Sequence, residues 1–307
     1  MKLGFLYAGQ GSQKPEMGLD FYREDPSARK FYDSLPDGHL IKDLSFYSNE
    51  ETLRQTENTQ VVLVAFQTMI TDLLTEKGMV PNALCGLSIG EYAALYTSGV
   101  LSKEDVISIS RLRGEAMKNA VKGIHTSMIA VLKSNEEEIQ KILDEINTKN
   151  VFAEISNINS PDQIVVAGAE SVIEMLTRRL KEKRIRSIPL KVSGPFHTSY
   201  MNPAATTLKE LFQKIPFQRE RIPIYYNLTG NTSPLIDIKH TMVEQVRQKV
   251  RLADDLKNMI EDGVDAFIEI GHQNVFKKIL KKMAPKIPVY TIAKYEDYKN
   301  VLGRFHG

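Results

Sequence analysis

Asn82-Ala83-Leu84-Cys85-Gly86-Leu87-Ser88-Ile89-Gly90-Glu91-Tyr92-Ala93-Ala94-Leu95-Tyr96-Thr97-Ser98 decides the fold. A short apolar strand over Asn82 to Cys85 runs through a glycine-flanked serine into a helix from Glu91 to Ser98, which Gly99 stops. Strand, tight turn and helix is the repeating unit of α/β folds. In that setting Gly86-Leu87-Ser88-Ile89-Gly90 reads as a nucleophile elbow rather than a chance G-x-S-x-G. A turn this sharp needs small residues around it, and it lifts the serine hydroxyl clear of the backbone. The N–H of Ile89, at the helix start, then points where an oxyanion would develop.

The same alternation continues on both sides and predicts a largely parallel sheet. Leu3 to Ala8 reads as a buried strand ending in Gly9-Gln10-Gly11-Ser12-Gln13, and Thr59 to Lys77 as a long helix closed by Gly78. Ser102-Lys103-Glu104-Asp105 has the form of a capping box opening the next helix. Between Ser127 and Val192 the rhythm becomes strand Met128 to Leu132, helix Glu136 to Ile146, strands Val151 to Asn157 and Gln163 to Ala167 around the turn Asn159-Ser160-Pro161-Asp162, helix Ser171 to Lys181, and strand Ile185 to Val192. That βαββαβ order is the split-βαβ, ferredoxin-like unit. The expected organisation is therefore a small subdomain, 127–193, inserted into a larger core made of 1–126 and 194–307. Beyond it, Asn202-Pro203 starts a helix with Asn at the cap and Pro at its first position. Phe267 to Ile270 and Val289 to Ile292 read as later strands of the main sheet.

The 307 residues are 42% hydrophobic and 25% charged, an ordinary globular composition that excludes disorder, collagen-like repeats and coiled coil. Forty Lys and Arg against 38 Asp and Glu leave +2, too near neutrality for a dedicated nucleic-acid binder. One cysteine, Cys85, excludes a disulfide framework and a Cys-based zinc site. It reads as a buried strand residue. Met1 to Ala8 is too short for a signal-peptide apolar region, and runs such as Val61 to Phe66 fall far below the ~20 residues of a membrane span. A soluble, cytoplasmic protein is expected, with no metal.

A serine nucleophile needs a base. Of the six histidines, His39, His125, His240 and His306 read as surface or terminal residues, or carry no signal. His272 follows a strand, and His197 follows the last strand of the inserted unit, in Ser193-Gly194-Pro195-Phe196-His197. Loops where two domains meet are favoured sites, so sequence favours His197 and leaves His272 open. Arg113 falls inside the apolar stripe Val106, Ile109, Ala116, Met117 and Ala120, whereas Arg111, Glu115 and Lys118 point away. A buried guanidinium needs an anion: an internal carboxylate, or the carboxylate of a substrate. Periodicity does not decide between them.

Gly9-Gln10-Gly11-Ser12-Gln13, Gly86-Leu87-Ser88-Ile89-Gly90-Glu91, Arg113-Gly114, Asn159-Ser160-Pro161 and Gly194-Pro195-Phe196-His197 occur in that order. Together they resemble the malonyl-CoA:acyl-carrier-protein transacylases of fatty acid synthesis, and their relatives the acyltransferases of polyketide synthases, from about Leu3 to Ile292. The resemblance implies an α/β-hydrolase-like core with a ferredoxin-like insertion and a site in the cleft between them. It implies Ser88 as acylated nucleophile, His197 as general base and Arg113 as binder of the malonyl carboxylate. Gln10 would complete the oxyanion hole with Ile89, and Phe196, Leu87 and Asn159 would line the substrate site. Phe196 stands where a bulky residue goes with malonyl over methylmalonyl in related polyketide enzymes.

Three departures accompany the match. Leu87 replaces a frequent His, and Gly271-His272-Gln273 stands where the family has Gly-Pro-Gly. The position often filled by a histidine-supporting Gln falls at Arg251, whose side chain cannot accept a hydrogen bond. A main-chain carbonyl there can, so the expectation is a Ser–His dyad oriented by a backbone oxygen.

The implied partners are malonyl-CoA and an acyl carrier protein, served by a monomer without a cofactor, nucleic acid or membrane. A thioesterase or carboxylesterase could use the same elbow, but no Asp or Glu stands out as its acid. A nucleotide-binding module on Gly9-Gln10-Gly11 lacks the third glycine of its fingerprint. Two basic runs, Arg178 to Arg186 and Lys277 to Lys282, read as solvated helix faces or as docking sites for an acidic carrier protein or CoA phosphates.

Overall fold

A computed structural model describes residues 1–190, 194–232 and 237–306. From the N-terminus run β1 (Leu3–Tyr7), α1 (Leu19–Glu24), α2 (Pro26–Ser34), α3 (Gly38–Lys42), α4 (Glu50–Arg54), α5 (Thr56–Glu76), β2 (Ala83–Gly86), α6 (Gly90–Thr97) and α7 (Lys103–Ala120). Next come β3 (Thr126–Leu132), α8 (Glu136–Ile146), β4 (Ala153–Ser160), β5 (Gln163–Ala169), α9 (Glu170–Glu182) and β6 (Arg186–Pro189). The chain continues with α10 (Asn202–Gln213), β7 (Ile224–Tyr225), α11 (Ile238–Gln245), α12 (Leu252–Glu261), β8 (Ala266–Ile270), α13 (Val275–Met283), β9 (Val289–Ile292) and α14 (Tyr295–His306).

The expected α/β architecture is present as two sheets. One is parallel, in the order β7-β2-β1-β8-β9. Helices cover both faces of such a sheet, which is why β1, β2 and β8 are buried at every position instead of alternating. The chain leaves β1 for β2 on one side and returns to β8 on the other. The crevice beyond the carboxyl ends of central strands is where such sheets place their sites. Pairing of Tyr7 with Gly86 brings Gly9-Gln10 and Leu87-Ser88 out of the sheet side by side.

The other sheet is antiparallel, in the order β4-β5-β3-β6. Its strands do alternate. Ile129 and Val131 of β3, with Ile164 and Val166 of β5, pack on α8 and α9 in a core of their own. Met128, Ala130, Val165 and Ala167, on the opposite face, belong to the main core. β4 is also tied to the body through Val250, whose N–H donates to Ser156 O at 2.9 Å and whose carbonyl accepts Ile158 N–H at 2.8 Å.

Most boundaries lie within a few residues of expectation, and two differences have local causes. Asn159 and Ser160 belong to β4, because Ser160 pairs with Gln163 and only Pro161-Asp162 turns the chain. At α10 the cap is Met201, not Asn202, because a 3-10 turn over Ser199–Met201 runs straight into the helix. Lys191 and Val192 of the expected last strand, and Ser193 at the domain boundary, lie outside the described residues, as do Gly307 and the side chain of His306.

Candidate active site

The turn after β2 is as tight as its two glycines allow. A methyl on Gly86 would meet the Gly90 carbonyl carbon at 2.1 Å, and one on Gly90 would meet Tyr7 O at 2.2 Å. Between them Ser88 has a left-handed φ of 55°. A serine held there costs on the order of 1–3 kcal/mol, so the surroundings must impose the conformation. Buried Asn227 meets the turn from the segment after β7: its Oδ1 accepts the Ser88 N–H at 2.7 Å, and its Nδ2 donates to Gly86 O at 2.7 Å.

His197 meets this serine from the other side. Ser88 Oγ lies 2.8 Å from its Nε2, and its Nδ1 lies 2.7 Å from the Gln245 carbonyl. A carbonyl can only accept, so Nδ1 carries the proton and Nε2 is left to take one from Ser88. Burial, then the Arg113 charge, lower the His197 pKa to about 3 against the opposing pull of Gln245. The imidazole is thus neutral across the physiological range. The expected support by a main-chain oxygen is found, but at the end of α11 instead of at Arg251. Arg251 caps α12 and pairs with Asp254 at 2.7 Å, so its place is structural. His272 stacks on Phe66 with centroids 5.9 Å apart and makes no hydrogen bond to Ser88. His39, His125 and His240 are exposed.

Arg113 reaches the pair from α7. A Cβ on Gly114 would lie 2.5 Å from Glu57 Cα, so the glycine lets α7 close on α5. That approach joins Arg113 Nη1 to Gln60 Oε1 at 2.8 Å. Nη2 donates to Gln245 Oε1 at 3.0 Å and to Ser88 Oγ at 3.2 Å, and the guanidinium lies over the Tyr92 ring at 5.5 Å. Arg113 is 0% exposed, as the stripe predicted, yet no carboxylate comes within ion-pair distance of it among the described residues, and its Nε has no partner there. The carboxyl group in the network is Glu91, one amide away. Gln245 Nε2 donates to Glu91 Oε2 and, at 2.8 Å, to Ser88 O. Burial raises the Glu91 pKa to about 7, opposed by the Asn227 N–H, the Gln245 amide and Arg113.

Gln10 and Ile89 flank the serine. A methyl on Gly9 would strike Leu87 O at 2.7 Å, so the loop after β1 lies against the elbow. Neither the Gln10 nor the Ile89 N–H has a protein acceptor among the described residues. Phe196 is buried in the main core beside His197, and Leu87 packs on the cluster containing Leu6, Cys85 and Val250. Asn159 makes no hydrogen bond to Ser88, His197 or Arg113; its amide donates to Gln163 at 3.3 Å, across the β4–β5 hairpin. No group of three His, Cys, Asp or Glu side chains converges for a metal ion, and no helix is long and apolar enough to cross a membrane, among the described residues.

The sequence reading did not assign Gln60, Asn227 or Gln245. Gln60 had one available signal: it lies on the long apolar helix, where an amide needs a partner. Gln245 had one as well, the histidine-supporting Gln of the family, which the alignment of motifs set at Arg251; Asn227 acts through a contact distant in sequence and had none.

An acyl transferase domain model matches residues 4–300. The chain is 32% identical over 299 residues to the malonyl CoA-acyl carrier protein transacylase of Bacillus subtilis (strain 168), covering 96% of this chain and 94% of that one. Its structure superposes with a TM-score of 0.94 on the malonyl CoA-acyl carrier protein transacylase from Clostridium perfringens, at 32% identity over 100% and 98% of the two chains. A malonyl-transacylase in complex with its type II PKS acyl-carrier protein matches with a TM-score of 0.93 at 28% identity, over 99% and 100% of the chains.

Proposed function

Because the chain belongs to the acyl transferase domain family, among its malonyl-CoA:acyl-carrier-protein transacylases, we propose that it moves malonyl from malonyl-CoA to the phosphopantetheine thiol of an acyl carrier protein through an ester on Ser88. The observation that carries this reading is Arg113: a fully buried cation without a carboxylate, 3.2 Å from the serine oxygen. A malonyl group esterified to Ser88 would bring its free carboxylate to that guanidinium.

Each half-reaction uses the same groups. Ser88 Oγ gives its proton to His197 Nε2 and bonds to the thioester carbonyl carbon. The developing oxyanion accepts from the Gln10 and Ile89 N–H groups, and losing one such donor costs ~10²–10³ in rate. Collapse breaks the C–S bond, and the CoA thiolate takes the proton from His197. The carrier-protein thiol then yields its proton to His197 and attacks the ester carbonyl. Ser88 leaves and regains the proton, and the kinetics are ping-pong.

This reading assigns 1–126 and 194–307 to an α/β-hydrolase-like core and 127–193 to a ferredoxin-like subdomain. The strand order β4-β5-β3-β6 supports the second assignment. The enzyme then acts as a cytoplasmic monomer, without a cofactor, supplying extender units for fatty acid or polyketide synthesis.

Intact-protein mass after brief exposure to malonyl-CoA tests the reading. The wild type should gain one malonyl group and keep it until a pantetheine thiol is added, and Ser88→Ala should gain none. Label on Ser88→Ala, or release as free malonate without a thiol, overturns the reading.

A further inference from the structure

The hydroxyl and its base account for the chemistry, but neither explains what keeps Ser88 in a left-handed conformation that an L-residue avoids. We propose that Asn227 is the positioning residue of the Ser88 turn, and that Asp255 on α12 fixes which way the Asn227 amide faces. The proposal rests on the reading of Ser88 as acyl acceptor.

The Asn227 side chain holds the turn on the N-terminal side of the strained Ser88 N–Cα bond. Its Oδ1 accepts the Ser88 N–H at 2.7 Å, while its Nδ2 holds the Gly86 carbonyl at 2.7 Å. One side chain thus spans the end of β2 and the nucleophile itself. A rotation about φ of Ser88 would have to break one of these bonds or the bond from the Asn227 N–H to Glu91 Oε1, which lies beyond the rotated bond. The residue is anchored on three further sides. Its N–H donates to Glu91 Oε1 at 2.8 Å, its carbonyl accepts the Arg251 N–H at 2.8 Å, and Nδ2 also donates to Asp255 Oδ2 at 2.9 Å.

Asp255 matters because an amide has two nearly isosteric ends. Flipping Asn227 would turn an N–H₂ on the Ser88 N–H and an oxygen on the Gly86 carbonyl, so both contacts to the turn would become repulsive. Asp255 supplies an acceptor from outside the turn that favours the working orientation. It is buried, with its Oδ1 unpartnered among the described residues. Neither residue reaches the reacting atoms. Asn227 acts through the backbone that leads into Ser88, and Asp255 acts through Asn227.

Single-turnover loading from malonyl-CoA, counted per folded molecule, separates positioning from stability. Asn227→Ala should load about 10²-fold more slowly, the usual consequence of a misplacement of about 1 Å. KM for malonyl-CoA should be little changed, because the Arg113 contacts to Gln60 and Gln245 are untouched. Asn227→Asp keeps the acceptor for Ser88 but loses both donors, and should also be slow. Adding Asp255→Asn to it restores a donor facing position 227 and should recover part of the rate without changing the pH profile set by His197. Wild-type loading by Asn227→Ala, or a double variant no faster than Asn227→Asp, overturns the proposal. If Asn227→Ala yields no folded protein, the single and double variants decide alone. Failure of the wild type to acquire malonyl on Ser88 removes the acyl-enzyme reading itself and is visible before any variant is made.

Discussion

Replacing Arg113 by alanine should separate malonyl from acetyl loading. The guanidinium is completely buried, and its fixed partners are the neutral oxygens of Gln60, Gln245 and Ser88. A malonyl carboxylate arriving there finds a desolvated cation held by side chains that cannot neutralise it. Removing one partner of such a buried, hydrogen-bonded charge pair costs about 2–5 kcal/mol. At ~1.4 kcal/mol per decade, malonyl loading should fall by about 30-fold to several thousand-fold in kcat/KM. Acetyl-CoA carries no carboxylate, so its loading should stay within about tenfold of the wild-type rate. The assay is single-turnover acylation of Ser88 by each thioester, read by intact-protein mass and normalised to folded protein. Lysine is not expected to rescue, since a point charge cannot reach Gln60 and Gln245 together while facing Ser88. Equal losses for the two acyl groups would show that Arg113 only supports the fold, and the clamp would be refuted.

The pH dependence carries an independent check. The proposed mechanism needs His197 unprotonated, and its pKa is lowered to about 3 by burial and then by Arg113. The acid limb of kcat/KM should therefore lie well below the ordinary imidazole range near 6.5. In Arg113→Ala, where the nearby positive charge is gone, that limb should move up in pH; stopped-flow loading across acid buffers reads both, and a wild-type limb near 6.5 would contradict the buried, neutral base. Gly114→Ala should destabilise the protein by about 1–3 kcal/mol, because the new methyl meets the Glu57 backbone at 2.5 Å. Urea denaturation measures it, and unchanged stability would mean that α5 and α7 are not in fixed register.

What could be read in the sequence was what local geometry dictates. Gly86 and Gly90 are required by contacts within a few residues or with the neighbouring strand, so the elbow was visible as a pattern. Arg113 was visible because a helix repeats its faces, and one cation in an apolar stripe breaks the repeat. The antiparallel sheet showed itself through the order of strands and helices between Ser127 and Val192. The choice between His197 and His272 depended on a contact 109 residues away and stayed open without the resemblance. Arg251 was nominated by position along a motif, whereas the true support is the Gln245 carbonyl, and a main-chain oxygen leaves no mark on residue identity. Asn227 grips Ser88 across 139 residues, a distance over which no local rule applies. Helices such as α3 and α4, five residues each, are too short to display a period.

The strands β3 and β5 turn one row of side chains towards each hydrophobic core. They act as a party wall. Swinging the small unit outward would strip Met128, Ala130, Val165 and Ala167 from their neighbours and break the peptide ties at Val250. The place of the antiparallel sheet against the main core is consequently fixed by packing rather than by a hinge. On the proposed function, room for a larger acyl group beside Ser88 has to come from trimming side chains, because two cores that share these strands are not free to part.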